Sequence, residues 1–241
     1  MIVVPMAGRS SRFAEAGYQQ PKFMLEARGR PVFDHAVQSF ASYFKTRPFL
    51  FVVRNTDSAP EFVKARVAEL GIVDWGIEVL PQATRGQAET VDMGLRNVDW
   101  GGPVTIFNID TFRPGFSFPR WLTPEMGFLE VFEGQGENWS FVRPVSVGDT
   151  RVAETAEKRA ISNLCCTGLY HFPTAASFRD AYNHEVEKPE FEWEKGELYV
   201  APLYNYLIKK GVPVHYHIVP RDQIIFCGVP SEYEAFCRAP K

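Results

Sequence analysis

No apolar run in the 241 residues approaches the ~20 that a membrane-spanning helix requires, so no helical span is expected. Two common nucleotide loops are also missing. There is no Gly-x-x-x-x-Gly-Lys-Ser/Thr and no Gly-x-Gly-x-x-Gly, which excludes a P-loop and a dinucleotide fingerprint. Cysteine is sparse. Cys165, Cys166, Cys227 and Cys237 make no zinc spacing, and neighbours in sequence pair poorly, so reduced thiols and a cytoplasmic location are expected. Positive charge is not in excess: 26 Lys and Arg against 29 Asp and Glu leave −3, without the basic stripe that nucleic-acid binding uses. The N-terminus enters a strand directly, with no basic region and apolar core of a signal peptide. Repeats, low-complexity tracts and linkers are absent as well. What remains is a soluble chain with no nucleic-acid or membrane partner, long enough for one substantial α/β domain or a domain plus a small subdomain.

What is present is concentrated first at the N-terminus. Ile2 to Val4 reads as an apolar strand running into Pro5-Met6-Ala7-Gly8-Arg9-Ser10-Ser11-Arg12-Phe13, closed by Pro21-Lys22. Small residues let backbone N–H groups converge on an anion. Arg12 can grip phosphate oxygens bidentately and Lys22 can supply a mobile point charge. The local reading is a nucleotide or phosphate cradle; the alternative is an ordinary strand-to-loop turn with two solvated cations.

Strand and helix signals alternate through the first half. Phe33, Val37, Phe40 and Phe44 share a helix face; Phe49 to Val53 is a strand; Pro60 opens a helix stopped by Gly71. Ile77 to Leu80, Glu89 to Val98 and Val104 to Ile109 read as strand, helix and strand. Such alternation predicts a parallel sheet flanked by helices, with ligands beyond the carboxyl ends of the strands. Gly8, Gln82 and Asp110 each follow a strand end and therefore belong to one rim. After about residue 125 the pattern becomes a series of short strands (128–132, 140–145, 152–155, 169–172) with helices at 175–186 and 200–210. The expectation is a single domain over residues 1–241, with a nucleotide-binding half (1–125) and an acceptor-binding half (126–241). His215 and His217 share a strand face at a spacing that could hold zinc, but no further ligand is near in sequence, which favours packing.

The N-terminal segment resembles the signature of the sugar-phosphate nucleotidyltransferases, L-A-A-G-x-G-T-R-(L/F) followed by P-K-x-(M/L)-(L/V). Met6-Ala7-Gly8, Arg12-Phe13 and Pro21-Lys22-Phe23-Met24-Leu25 stand in those places, with Ser10 where the second glycine would be. The resemblance implies a Rossmann-like, mixed but mainly parallel α/β sheet of the nucleotide-diphospho-sugar transferase type. It implies that Arg12 and Lys22 are catalytic, and that Ala7, Gly8, Arg9, Ser10 and Ser11 bind nucleotide. Leu80-Pro81-Gln82-Ala83-Thr84-Arg85-Gly86-Gln87 is similar to the family's base-recognition box, which adds Gln82, Thr84, Gly86 and Gln87; a plain helix-capping loop is the alternative. Asp110, in Asn108-Ile109-Asp110-Thr111, matches the aspartate that coordinates Mg²⁺, unless it merely caps its turn.

The family's second metal aspartate precedes an I-G-T-P-E-D/E-Y pattern. Here Cys227-Gly228-Val229-Pro230-Ser231-Glu232-Tyr233 follows Phe226, and a phenyl ring cannot ligate a metal; Asp222 is the substitute, failing which the metal relies on Asp110, phosphates and water. Acceptor contacts implied by the resemblance are Trp139, Lys158, Thr167, Gly168 and Glu197. The activity implied is transfer of NMP from an NTP to a phosphorylated small molecule, most of all a sugar 1-phosphate for capsule or other cell-surface glycans, releasing pyrophosphate. The partners are then the NTP and that acceptor, with a homo-oligomer allowed. Because the chain ends soon after Tyr233, no β-helix acyltransferase domain is expected. The alternatives are a cytidylyltransferase for a non-sugar phosphate such as phosphocholine or a phosphorylated amino-acid amide, and a regulatory nucleotide-binding module without turnover. A glycosyltransferase would need D-x-D, of which Asn108-Ile109-Asp110 has half.

Overall fold

The computed structural model describes residues 1–56 and 58–239. Its fold is α/β, with a Rossmann-like mixed sheet flanked by helices. The chain forms two compact units. One comprises Ile2–Ala83, Phe107–Ser117 and the residues from Asp222 onward; the other comprises Met1, Thr84–Ile106 and Phe118–Arg221.

In the first unit, Ile2–Pro5, Phe49–Arg54 and Trp75–Leu80 pair in parallel, with Ile2 opposite Phe49 and Arg54 opposite Leu80. Aromatic and β-branched residues suit strands covered on both faces, and the middle strand is buried from Phe49 through Val53. The helix Ala59–Leu70 starts with Pro60 in its first turn and stops at Gly71, whose φ of 73° is the left-handed conformation that glycine adopts freely. The helix carrying Phe33 and Val37 covers Val32–Val37 and tightens into a 3₁₀ segment, Gln38–Tyr43, where Phe40 leaves helical angles (φ −103°) to pack on Phe107 and Phe116, with ring centroids 5.0 and 4.9 Å away. Phe33 continues this aromatic core against Phe51 and Phe62. Two short antiparallel pairs complete the unit: Glu26–Ala27 with Arg30–Pro31, and Thr111–Phe112 with Ile225–Phe226.

In the second unit, Leu164–Phe172 is buried at all nine positions and pairs antiparallel with Gly127–Glu133 and Ser140–Pro144. Ser140–Pro144 also pairs antiparallel with Val152–Glu157, and Val214–Ile218 runs parallel to Gly127–Glu133. Register in the long strand shifts between Cys166 and Tyr170, where Gly168 takes φ 95°. The helix Ala175–Val186 matches its sequence pattern and opens with a reciprocal capping box between Thr174 and Ser177. Several sequence-based boundaries differ, most of all the strand expected over 169–172, which spans Leu164–Phe172. The helix expected over 89–98 is Gln87–Arg96, the strand expected to reach Ile109 is Val104–Phe107, and the helix expected over 200–210 divides into a 3₁₀ turn, Ala201–Leu203, and Tyr204–Lys209.

Candidate active site

The signature loop leaves the Ile2–Pro5 strand held by Met6 N–H donating to Val52 O at 2.7 Å, with Met6 and Ala7 buried. Beyond them Gly8 and Arg9 are exposed, and the short helix Ser11–Glu15 turns Arg12 outward and Phe13 inward. Ser10, in the glycine place of the signature, has φ 51° and ψ 32°. This left-handed conformation costs a non-glycine residue roughly 1 kcal/mol, which is the physical reason for a glycine there. Ser10→Gly is expected to retain activity and to lose no stability in denaturant melts, with a gain of up to about 1 kcal/mol.

An aromatic clamp fixes the loop from behind. Phe13 and Tyr18 lie 6.0 and 5.6 Å from the ring of Tyr233, on the C-terminal helix Pro230–Arg238, and 5.4 Å from each other. The Tyr233 hydroxyl donates to Glu26 O at 2.7 Å, just past the lysine box. Lys22 sits in the 3₁₀ turn Lys22–Met24, and its Nζ donates to Asp110 Oδ2 at 2.5 Å. These two residues are 88 apart in sequence, and each side chain is about a fifth exposed, at 22% and 21%. Asp110 is also tied through its backbone, accepting from Cys227 N–H at 2.7 Å. Gly228 is the next close neighbour: a β-carbon there would lie 3.3 Å from Asp110 Oδ2 and 3.6 Å from Glu232 Oε2. Glu232 in turn accepts from the N–H groups of Gly228 and Val229. The Cys227 thiol among them is pushed up to about 12 by burial, with the Glu232 and Asp110 carboxylates adding to the shift. Gln82 stands exposed just beyond Leu80.

Donors for a metal are few at this place. Among the described residues no group of three or more His, Cys, Asp or Glu side chains is arranged to hold one. Phe226 lies opposite Thr111 in the short pair, and Asp222 is in the exposed 3₁₀ turn Arg221–Gln223. The donor set therefore fits a magnesium ion bound by one carboxylate, Asp110, with phosphate oxygens and water completing its shell.

The other unit carries the remaining sequence-predicted residues. Thr84 Oγ1 donates to Gly86 O at 3.1 Å and lies 2.7 Å from Thr90 Oγ1. Gly86 is glycine because of a chain crossing: a β-carbon would come within 2.4–2.7 Å of the Leu198 backbone, while Leu198 N–H donates to Arg85 O and Ala88 N–H to Leu198 O. Arg85 and Ala88 are thus joined by main-chain hydrogen bonds to Leu198, the neighbour of exposed Glu197, and Gln87 opens the helix Gln87–Arg96. Arg85 is held by Glu89 and is placed over the Trp193 ring at 5.2 Å.

Lys158 N–H donates to Trp139 O at 2.8 Å; its Nζ donates to the Tyr199 hydroxyl and lies 4.6 Å from the centre of that ring. The Trp139 indole N–H is used on Gln135 O, and its ring packs on Phe132. Thr167 is 1% exposed and donates to Glu130 Oε1 at 3.2 Å, so its hydroxyl is directed into the interior. His215 and His217 flank Trp121 at ring distances of 5.6 and 6.1 Å, and His215 Nδ1 pairs with Thr150 Oγ1.

No family model matches the chain, and no curated protein sequence matches it. Among solved structures, the nucleoside-diphosphate-sugar pyrophosphorylase from Vibrio cholerae RC9 is 54% identical, covering 99% of this chain and 100% of that one, with a TM-score of 0.96. The chain belongs to the nucleoside-diphosphate-sugar pyrophosphorylases, a family of sugar-phosphate nucleotidyltransferases. It is accordingly a nucleotidyltransferase. Two more distant likenesses share the fold. The inositol-1-phosphate CTP transferase from T. maritima is 15% identical over 98% of this chain and 94% of its own (TM-score 0.72). A putative glucose-1-phosphate thymidylyltransferase from Bacillus anthracis is 18% identical over 100% and 96% (TM-score 0.74).

Residues that sequence reasoning did not single out stand beside the candidate ones: Glu130 meets Thr167, and Tyr199 meets Lys158. Glu157, next to Lys158, is the most telling titratable group of this unit. It is buried, accepts from Ser140 Oγ, and burial pushes its carboxyl above the usual range despite the opposing Ser140 and Lys158. A carboxyl raised in the folded state costs stability at neutral pH, where it is ionised, and regains it as pH falls into the window between its ordinary and raised values. Glu157→Gln is therefore expected to melt higher than wild type at neutral pH, with the gap closing on acidification, and to raise the acceptor KM. Thermal melts from about pH 4 to 8 with steady-state kinetics check both.

Proposed function

We propose that this enzyme joins the nucleotidyl group of an NTP to a sugar 1-phosphate and releases pyrophosphate. The observation that carries the proposal is the contact between Lys22 Nζ and the Asp110 carboxylate, a cation and a carboxylate from two segments that the resemblance assigns to the chemistry. An acceptor phosphate oxygen bonds to the α-phosphorus while the bond from that phosphorus to the α–β bridging oxygen breaks; pyrophosphate leaves with that oxygen and its electron pair. Arg12 holds the triphosphate bidentately, and Lys22 neutralises charge that builds at the α-phosphate in the transition state. Gln82, with Thr84, Gly86 and Gln87, takes the base, and Lys158 with Glu157 orients the acceptor. Asp110 holds magnesium, which supplies charge neutralisation on the phosphates when bound. Supply of activated sugars for surface glycans, including capsule, in the cytoplasm is consistent with this chemistry.

A second reading, an acceptor bearing a cationic group such as phosphocholine, is favoured by one observation. Glu194 and Glu197 both act on the Glu157 carboxyl, which gathers three carboxylates beside Lys158 and Arg159, the latter 3.7 Å from Glu194. Pyrophosphate release with Mg²⁺, each of CTP, dTTP, UTP, ATP and GTP, and a panel of sugar 1-phosphates, phosphocholine and phosphorylated amides decides between them. Release confined to one NTP and sugar 1-phosphates supports the first reading; release only with cationic acceptors supports the second. Binding of NTP without release under any acceptor defeats both.

A further inference from the structure

Lys158 directly follows the strand Val152–Glu157 and leaves it in the left-handed conformation, φ 50°, with its N–H on Trp139 O. A residue other than glycine adopts those angles only where its surroundings impose them. The main chain is thus fixed, but a lysine side chain still has four rotatable bonds. Three carboxyl groups compete for its ammonium: Glu157 is the preceding residue, and Glu194 and Glu197 act on the same carboxyl. Among the described residues the ammonium nevertheless forms no ion pair. It donates instead to the Tyr199 hydroxyl and lies 4.6 Å from the centre of that ring, within cation–π range.

Tyr199 is itself well anchored. The residue before it, Leu198, donates its N–H to Arg85 O and accepts from Ala88 N–H, and the residue after it, Val200, is buried. The ring therefore stands on a tied stretch of main chain. A neutral phenol also differs from a carboxylate in a way that matters here: it holds an ammonium in place without cancelling its charge. With one of three donors on Tyr199, two remain for a phosphate.

We propose that Tyr199 is the positioning residue for Lys158, its hydroxyl and ring holding the ammonium away from the surrounding carboxylates and presenting it to the phosphate of the acceptor. The proposal rests on the reading in which Lys158 orients the acceptor. Tyr199 acts through Lys158, so its effect belongs to acceptor binding. Holding one lysine side chain in place corresponds to roughly 10- to 30-fold in affinity. The loss falls on KM more than on kcat, because the contact serves ground state and transition state alike.

The test is steady-state pyrophosphate release by the full chain with Mg²⁺. It uses the NTP and the acceptor, among sugar 1-phosphates, phosphocholine and phosphorylated amides, that wild type turns over best. The variants are Tyr199→Phe, Tyr199→Ala, Lys158→Met and the double variant Tyr199→Phe with Lys158→Met. Tyr199→Phe keeps the ring and loses only the oxygen. It is expected to raise the acceptor KM by roughly 3- to 10-fold, with the NTP KM and kcat within about twofold and the melting temperature unchanged. Tyr199→Ala, which loses the ring as well, should raise it by roughly 10- to 30-fold. Beside Lys158→Met, Tyr199→Phe should cost nothing further, because the ammonium it positions is gone. An acceptor KM within about twofold of wild type in both Tyr199 variants would overturn the proposal. So would an equal loss with and without the Lys158 ammonium. The reading beneath it fails differently: Lys158→Met itself would leave the acceptor KM unchanged, or wild type would release no pyrophosphate with any acceptor.

Discussion

Lys22→Ala is expected to lower kcat by roughly 10²- to 10³-fold, the loss found when one preorganised donor to a developing charge is removed. In the structure Lys22 Nζ is engaged with Asp110 Oδ2. With the substrates in place the same ammonium is shared with phosphate oxygens, and its contribution is largest as charge shifts toward the leaving group. The NTP KM should change less than kcat, because on the proposed reading Arg12 holds the triphosphate in the ground state. Lys22→Arg should recover little, since a planar fork cannot take the place of a point charge in this tight turn. Folding should be little affected: the pair is a fifth exposed, and pairs with that access to water contribute little to stability. A fall in kcat of less than tenfold would remove Lys22 from the chemistry.

How much of this was legible in the sequence depends on whether the determinant is local. The signature loop, the lysine box and the helix Ala175–Val186 are written in contiguous residues, so their spacing alone located them. The rule that ligands gather beyond strand carboxyl ends brought Asp110 to the same rim as the loop, and its side chain meets Lys22 there. Other features depend on pairing partners that sequence does not display. Gly86 reads as a nucleotide-contacting glycine, yet the atoms its missing side chain would strike belong to Leu198. Thr167 reads as an acceptor contact, but Leu164–Phe172 is covered on both faces, and a strand buried on both sides shows no alternation to reveal which residues point inward. Phe226 is legible as a departure from the metal pattern, but that Asp222 stands in an exposed turn while Glu232 lies beside Asp110 follows only from the structure.

The carboxylate that meets Lys22 makes Asp110→Asn the most diagnostic substitution. With neighbouring Glu232 engaged by the Gly228 and Val229 N–H groups, the change is expected to raise the Mg²⁺ concentration for half-maximal rate by at least roughly tenfold, since even outer-shell partners of a metal cost 10- to 100-fold when removed. At a fixed, physiological level of magnesium kcat should fall by about 10²-fold. Metal-free NTP binding should hold or tighten, because Lys22 loses the carboxylate that competes with phosphate for its ammonium. The fold should persist, because the main-chain oxygen of Asp110, not its side chain, receives Cys227 N–H. A role confined to capping the turn into Thr111 would give the opposite pair of results, an unchanged magnesium titration and a lower melting temperature. Magnesium titrations of rate, with calorimetric NTP binding in EDTA, separate the two. Tightened metal-free binding together with a shifted titration would identify Asp110 as both the metal's carboxylate and the group that holds Lys22 until the nucleotide arrives.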